Sequence, residues 1–281
     1  MGTFTIARAE HAGACYGVQR ALDLTLETAN DNKAACTLGP LIHNPQVVTE
    51  LEARGIRVAS SVDDCAEEAV VIRSHGVVPQ VIATLEARGH EVIDATCPHV
   101  LRAQRAAAKL AREGYRVLVV GEAGHPEVEG ILEHARQEGE WCTIVGSVED
   151  IPADLTEPVG IVVQTTQSHQ KLAEIVDALS ARGIEPLVKD TICFATIQRQ
   201  DAARDLASTV DVMLIIGGRN SSNTTRLYEM CQQCCNAVYH IENAEEIDPA
   251  WFAAASSVGI SAGASTPEDQ IQDVVSYLET L

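Results

Sequence analysis

The sequence predicts an α/β protein made of three similar αβ units, each carrying a mostly parallel sheet. Three observations predict it. Cys15, Cys97 and Cys193 each stand between a strand-like and a helix-like segment. Twenty-eight residues beyond each lies a second polar loop, at His43, His125 and Ser221. The apolar runs are strand-length, as in VDVMLII (210–216), and alternate with stretches whose apolar residues recur at helical spacing.

The elements follow in order within each unit. Strand-like segments at 3–7, 90–94 and 185–190 lead into the cysteines, and helix-like segments follow at 17–29, 100–113 and 195–207. Val18, Ala21, Leu22, Leu26 and Ala29 show the helical spacing in the first of these. The loops at His43, His125 and Ser221 follow strand signals (ACTL, RVLVV, VMLII) and open helices. Pro45 and Pro126 suit the first helical position, and Ser221, Ser222 and Asn223 are capping types. A third strand, polar loop and helix follows at 70–80, 160–170 and 258–268, with His75, Thr165, Thr166 and Ser265 in the loops. Gly55, Gly89 and Gly183 mark helix ends.

Ligands of parallel α/β sheets bind beyond the carboxyl ends of the strands. If the three units face one another about a pseudo-threefold axis, the cysteines and the six polar loops share one central cavity. The expected domains are 16–97, 98–192 and 193–281, with the N-terminal strand 1–15 joining the third.

Composition narrows the function. The chain has 281 residues and a net charge of −20. That charge argues against nucleic acid, whose phosphates need a basic footprint. No apolar run approaches the roughly 20 residues of a membrane span, so no membrane partner is expected. The N-terminus has no basic region followed by an apolar stretch, and Met1-Gly2 lacks the Ser or Thr at position 6 of a myristoylation start. The expected location is the cytoplasm. Nine cysteines in a reducing compartment point to metal or catalytic use of a subset.

Three thiolates at equivalent positions suit a metal. They could hold zinc with water as fourth ligand, or three irons of a [4Fe–4S] cube with the fourth iron open. His43, His75, His125, Ser221, Ser222, Asn223 and Ser265 are hydrogen-bond donors expected at helix starts. Such ends hold phosphate without Lys or Arg, which reconciles an anion site with an acidic chain. Glu127 is a candidate proton donor; it could equally complement the dipole of its own helix. Thr165 could bond Glu127 or cap its own helix.

The motifs GACYGVQRA, LIHNPQVV, RSHGV, DATCPHV, GHPEVEG, QTT, DTICFAT, NSSNTTRL and SAGAS, in this order across the whole chain, resemble the 4-hydroxy-3-methylbut-2-enyl diphosphate reductase family. That resemblance implies a trefoil of three αβ domains around a [4Fe–4S] cluster. It implies reductive removal of an allylic hydroxyl, giving isopentenyl and dimethylallyl diphosphates, the last step of the methylerythritol phosphate route. It implies Cys15, Cys97 and Cys193 as cluster ligands. His43, His75, His125, Ser221, Ser222, Asn223 and Ser265 would hold the diphosphate. Glu127 would deliver protons, with Thr165 beside it and His125 assisting. Electrons would come from a ferredoxin or flavodoxin, since the chain has no flavin or nicotinamide motif. The sequence departs from the family at ACYGV, where Phe often precedes the Cys and Ala follows it, and at DTICFATIQRQ.

Other readings stay open at this point: an Fe–S hydro-lyase on a small phosphorylated substrate, a non-catalytic cluster sensor, and a zinc hydrolase. Arg20, Arg102, Arg105 and Arg199 follow the three cysteines and could form a basic docking patch for an acidic redox partner, or simply solvated helix faces. MCQQCCN (230–236) holds Cys231, Cys234 and Cys235; Cys231 and Cys235 have i,i+4 spacing on one helix face and are read as packing or an adventitious thiol site, with a second metal or redox site as the alternative. Cys36, Cys65 and Cys142 are read as core.

Overall fold

The structure is a computed structural model that describes residues 4–30 and 34–281. Thr3, expected to begin the first strand, and the Met1-Gly2 pair lie outside the described residues. The chain divides into two compact units. One comprises residues up to Val18, His43–Val47 and Phe194–Leu281; the other comprises Gln19–Ile42 and Val48–Cys193.

The second unit holds two sheets. In chain order the first is built from β2 (Ala35–Leu38), β3 (Arg57–Ala59), β4 (Ala69–Ile72) and β5 (Glu91–Asp94), in the spatial order β3-β2-β4-β5. The helices α2 (Pro45–Ala53) and α3 (Pro79–Ala87) connect its strands. The other sheet has β6 (Arg116–Val120), β7 (Cys142–Val145), β8 (Val159–Val163) and β9 (Leu187–Lys189), in the order β7-β6-β8-β9. Its connecting helices are α5 (Pro126–Arg136) and α6 (His169–Ser180). Helix α4 (Pro98–Arg112) joins the two sheets in sequence and packs on α5.

The first unit holds the third sheet. Strand β1 (Thr5–Arg8) pairs with β12 (Ser257–Ala262), which pairs with β10 (Val212–Ile216), which pairs with β11 (Val238–Ile241). Its helices are α7 (Phe194–Ala207), α8 (Ser222–Gln232) and α9 (Glu268–Glu279), and α1 (Tyr16–Asn30) follows β1. All strand pairs among the described residues are parallel. The three sheets share one topology, with β1 in the place that β5 and β9 hold in the others.

The physical cause is burial on both faces. A parallel sheet covered by helices on each side reads as an unbroken apolar run, and β8 and β10 are buried at every residue. In β10, Val212, Leu214 and Ile216 pack with Ile271, Val274 and Leu278 of α9, whereas Met213 and Ile215 pack with Ala203, Ala207 and Leu227 of α7 and α8. In α4 the buried Val100, Ala103, Ala107 and Leu110 form one stripe. Leu110 lies where a Cβ on Gly160 would meet its Cδ1 at 2.9 Å, so only glycine lets α4 sit this close to β8. Gly55, Gly89 and Gly183 have φ of +85°, +88° and +75° and end their helices as the sequence predicts.

Among the described residues no helix is long and apolar enough to cross a membrane. Cys36, Cys65, Cys231 and Cys235 are buried, and Cys142 is half-buried and packs against the core around Leu110 and Val119. A correction concerns Cys235. It lies beyond the end of α8, so it shares a core cluster with Cys231 rather than a helix face.

Candidate active site

The three cysteines share a local design. Each is half-buried and immediately precedes a helix, namely α1, α4 or α7. Each backbone amide donates to a carbonyl in the loop after another strand: Cys15 to Ala264 at 3.1 Å, Cys97 to Ser74 at 2.9 Å and Cys193 to Thr165 at 2.9 Å. The threefold pattern thus extends to single hydrogen bonds.

In the second unit these bonds start a continuous network. Thr165, whose carbonyl holds Cys193, donates its backbone N–H to Glu127 Oε1 at 2.6 Å and its hydroxyl to Oε2 at 2.9 Å. Glu127 is 1% exposed in the first turn of α5. Burial raises its pKa to about 7; the two Thr165 bonds oppose the rise and the charge of Glu122 adds to it. His125 is the N-cap of α5, and its Nδ1 accepts from the Glu127 amide at 3.1 Å. That acceptor role puts the ring hydrogen on Nε2. Burial, then the charge of Arg73, lowers the His125 pKa to about 4, so the ring is neutral near pH 7. The His75 ring meets the His125 ring edge to face, with centroids 5.5 Å apart. Next to His75, Ser74 accepts the Cys97 amide. Six predicted residues of this unit (Cys97, Cys193, His75, His125, Glu127 and Thr165) are therefore linked.

In the first unit the loops at His43 and Ser265 are tied by Asn44. Its Oδ1 caps α2 by accepting from Gln46 and Val47, and its Nδ2 donates to the Ser265 carbonyl and to Gln270 Oε1, both at 2.8 Å. Ser221 caps α8, accepting from the Thr224 amide, and Ser222 begins the helix. Asn223 is 4% exposed, yet neither its Nδ2 nor its Oδ1 has a partner among the described residues. Each such group costs about 1–3 kcal/mol, so the amide is poised for a ligand. Gly263 leaves room for Thr224, whose Oγ1 a Cβ at this position would strike.

Two expectations are corrected. His75, Thr165 and Ser265 precede α3, α6 and α9 by several residues, so a helix N-terminus does not supply their charge environment. The arginines proposed as a docking patch or as solvated faces mostly bond backbone carbonyls, and Arg105 alone of the four is exposed without a bond among the described residues. Sequence reasoning also gave no role to Asn44 or Arg73. Asn44 is signalled by its place before Pro45. Arg73 is half-buried against Gly39, donates to the Gly76 carbonyl at 3.4 Å, and forms no ion pair among the described residues. Its charge acts on His125 instead.

Three parallel sheets of one topology define an α/β protein; one unit carries a buried carboxyl group with its pKa raised to about 7, the other a buried amide with no partner among the described residues. Comparison with known proteins supplies the family. Residues 6–279 match the family described as LytB protein, and the chain belongs to it. It is 45% identical over 268 residues, covering 95% of both chains, to the 4-hydroxy-3-methylbut-2-enyl diphosphate reductase of Pelobacter propionicus. It is 44% identical to the enzyme of that name from Geobacter sulfurreducens, covering 98% of this chain and 96% of the relative. A solved structure of (E)-4-hydroxy-3-methyl-but-2-enyl diphosphate reductase, described as the terminal enzyme of the non-mevalonate pathway, is 44% identical with a TM-score of 0.72, covering 99% of this chain and all of that one. The Plasmodium falciparum reductase is 25% identical with a TM-score of 0.90, covering 98% and 88%. The family is the one the sequence motifs resemble.

Proposed function

We propose that this chain reductively removes the hydroxyl of 4-hydroxy-3-methylbut-2-enyl diphosphate, giving isopentenyl and dimethylallyl diphosphates and water. One observation carries the reading: Glu127, buried and doubly bonded to Thr165, has its pKa raised to about 7 in a chain that matches the named reductases over nearly its full length. The overall step consumes two electrons and two protons, breaks one C–O bond, forms one C–H bond and releases water. A carboxyl group about half protonated at neutral pH is suited to that delivery.

The proposed cofactor is a [4Fe–4S] cluster on Cys15, Cys97 and Cys193. The donor set fits: three thiols outside any disulfide, at equivalent positions, each with its amide pinned and its helix starting at the next residue. Bound there, the cluster would supply electrons and an open iron to the substrate hydroxyl. The chain's own residues do the rest. His43, His75, His125, Ser221, Ser222, Asn223 and Ser265 are the proposed diphosphate ligands. Neutral His125 donates from Nε2, and the Asn223 amide is free among the described residues to bond a phosphoryl oxygen. Thr165 holds the Glu127 carboxyl group and orients its proton. The proposed electron donor is a ferredoxin or flavodoxin, the location the cytoplasm, and the domains 16–97, 98–192 and 193–281 with strand 1–15.

Anaerobic turnover of the hydroxy-diphosphate by cluster-reconstituted protein with a reduced low-potential dye tests this. Dye-dependent formation of the two five-carbon diphosphates, largely lost in Glu127→Gln, is the expected result. Turnover without dye would favour the hydro-lyase. Full iron and sulfide content with no turnover would refute the reductase.

A further inference from the structure

Three arginines repeat the cyclic order of the three cysteines. Each of α1, α4 and α7 begins at the residue after a cysteine and carries an arginine five or six residues past it: Arg20, Arg102 and Arg199. Arg20 donates from Nη1 to the Thr96 carbonyl at 3.3 Å and from Nη2 to that of Asp94 at 3.4 Å. Arg102 donates from Nη2 to the Ile192 carbonyl at 3.4 Å. Arg199, 3% exposed, donates from Nη2 to the Gly13 carbonyl at 2.7 Å and from Nη1 to the Ala195 carbonyl of its own helix at 3.1 Å. The arginine after each cysteine therefore reaches the chain just ahead of the next one, and the last returns to the first.

The partners matter at the level of single peptide groups. The carbonyl of Thr96 belongs to the same peptide group as the N–H of Cys97, and that of Ile192 to the same group as the N–H of Cys193. Those N–H groups donate to Ser74 and Thr165. Both peptide planes are thus held at both ends, which fixes the direction in which each Cα presents its thiol. At Cys15 the arginine grips one peptide earlier, at Gly13, while the N–H donates to Ala264. The charge is a second feature. Neither Arg20 nor Arg102 forms an ion pair with a carboxylate among the described residues. A guanidinium is never deprotonated in a protein, so each leaves an uncompensated positive charge beside a cysteine peptide.

We propose that Arg20, Arg102 and Arg199 are positioning residues for the cluster. Arg20 and Arg102 lock the peptides of Cys97 and Cys193, Arg199 holds the peptide one before that of Cys15, and their charge favours the reduced state, which carries one more negative charge than the oxidised one. The inference rests on the cluster reading above. It uses one known determinant of Fe–S potential, charge, and it treats the arginines as part of the cluster site rather than as a docking surface.

The test compares Arg102→Gln, which removes the charge, with Arg102→Lys, which keeps the charge and loses the planar fork. Arg105→Gln on the exposed face of α4 is the control. Each protein is reconstituted anaerobically. Iron and sulfide are counted, the reduced fraction is read by electron paramagnetic resonance at the potential where wild type is half reduced, and iron loss to a chelator is timed. Arg102→Gln should lower the reduced-to-oxidised ratio several-fold; tenfold corresponds to about 59 mV for a one-electron couple. Arg102→Lys should restore the ratio, yet both variants should lose iron faster than wild type. If Arg102→Gln fails to fold or to load, Arg20→Gln carries the same comparison. A fully loaded glutamine variant with wild-type ratio and iron-release rate would overturn the inference, as would an equal shift in Arg105→Gln. Wild type that takes up no iron would overturn the cluster reading, and this inference with it.

Discussion

The starts of α5 and α8 occupy equivalent places in two sheets of one topology, and they are used differently. His125 and Ser221 each cap their helix, and two residues on stand Glu127 and Asn223. Glu127 meets two donors from Thr165. Thr165 is also the residue whose carbonyl holds Cys193; the residue in that role for Cys15 is Ala264, which has no hydroxyl. Asn223 has no partner among the described residues. One scaffold position is filled from within, giving a carboxyl group with a tuned proton. Its counterpart is left open, giving a buried amide with no partner among the described residues. A repeated fold can thus fill or leave open one helix-start position through the side chain that stands there and the loop that reaches it.

The strongest test of the filled position is Glu127→Gln. It removes the proton and should cut turnover by about 10²–10⁴-fold. It also isolates a stability effect. A carboxyl group raised from 4.5 to about 7 in the folded state stabilises fully below pH 4.5, and that contribution is lost as pH rises to 7. The loss is on the order of 3 kcal/mol. Urea midpoints of Glu127→Gln should therefore exceed wild type at pH 8 and converge with it near pH 4.5. His125 acts in the opposite sense. Lowered from 6.5 to about 4, it stabilises above pH 6.5, and the contribution is lost as pH falls. Glu127→Gln should expose that slope; stability that stays flat from pH 6.5 to 4 would contradict a neutral, buried His125.

The open position is tested by Asn223→Ala. With no partner to lose among the described residues, Tm should stay unchanged or rise slightly, while KM for the diphosphate rises about tenfold, equivalent to one hydrogen bond of about 1.4 kcal/mol to a charged acceptor. A large fall in Tm would mean the amide serves the fold. Thr165→Val is a smaller perturbation. It deletes the hydroxyl donor and should move the alkaline limb of the pH–rate profile up by about one unit, because the ionised carboxylate loses a bond. The smallest effect is expected for Ala264→Ser, which gives the open loop a hydroxyl like that of the filled one. Competition for the Asn223 amide should raise KM about twofold, roughly 0.4 kcal/mol, with turnover unchanged.

Much of the fold was legible because its causes are local. Unbroken apolar runs such as β10 can be strands only if both faces are covered, and the glycines after 52–54, 86–88 and 180–182 end helices because other residues resist their φ. The 28-residue spacing brought His43, His125 and Ser221 into view as equivalent positions. The rest depends on partners that leave no trace in residue type. Arg20, Arg102 and Arg199 bond carbonyl groups, which every residue possesses. The candidacy of Glu127 and a bond from Thr165 were visible as options, but the burial of the carboxyl group and the second bond, from the Thr165 backbone N–H, were not. His75 and Ser265 look like helix starts only until the turns ahead of α3 and α9 are seen.

The pairing of β1 with β12 sets an order of events during synthesis. Thr5–Arg8 leave the ribosome long before their strand partner among the described residues, which lies in Ser257–Ala262. The carbonyl of Ala264, which holds the Cys15 amide, emerges later still. At about 5–20 residues per second, the first strand and its cysteine wait roughly ten to fifty seconds as a nascent segment without their native neighbours. Cys97 is different: its amide acceptor, Ser74, is made before it. The amide anchor of Cys97 is therefore already made when that residue emerges, whereas Cys15 gains its own only after most of the described chain has followed it.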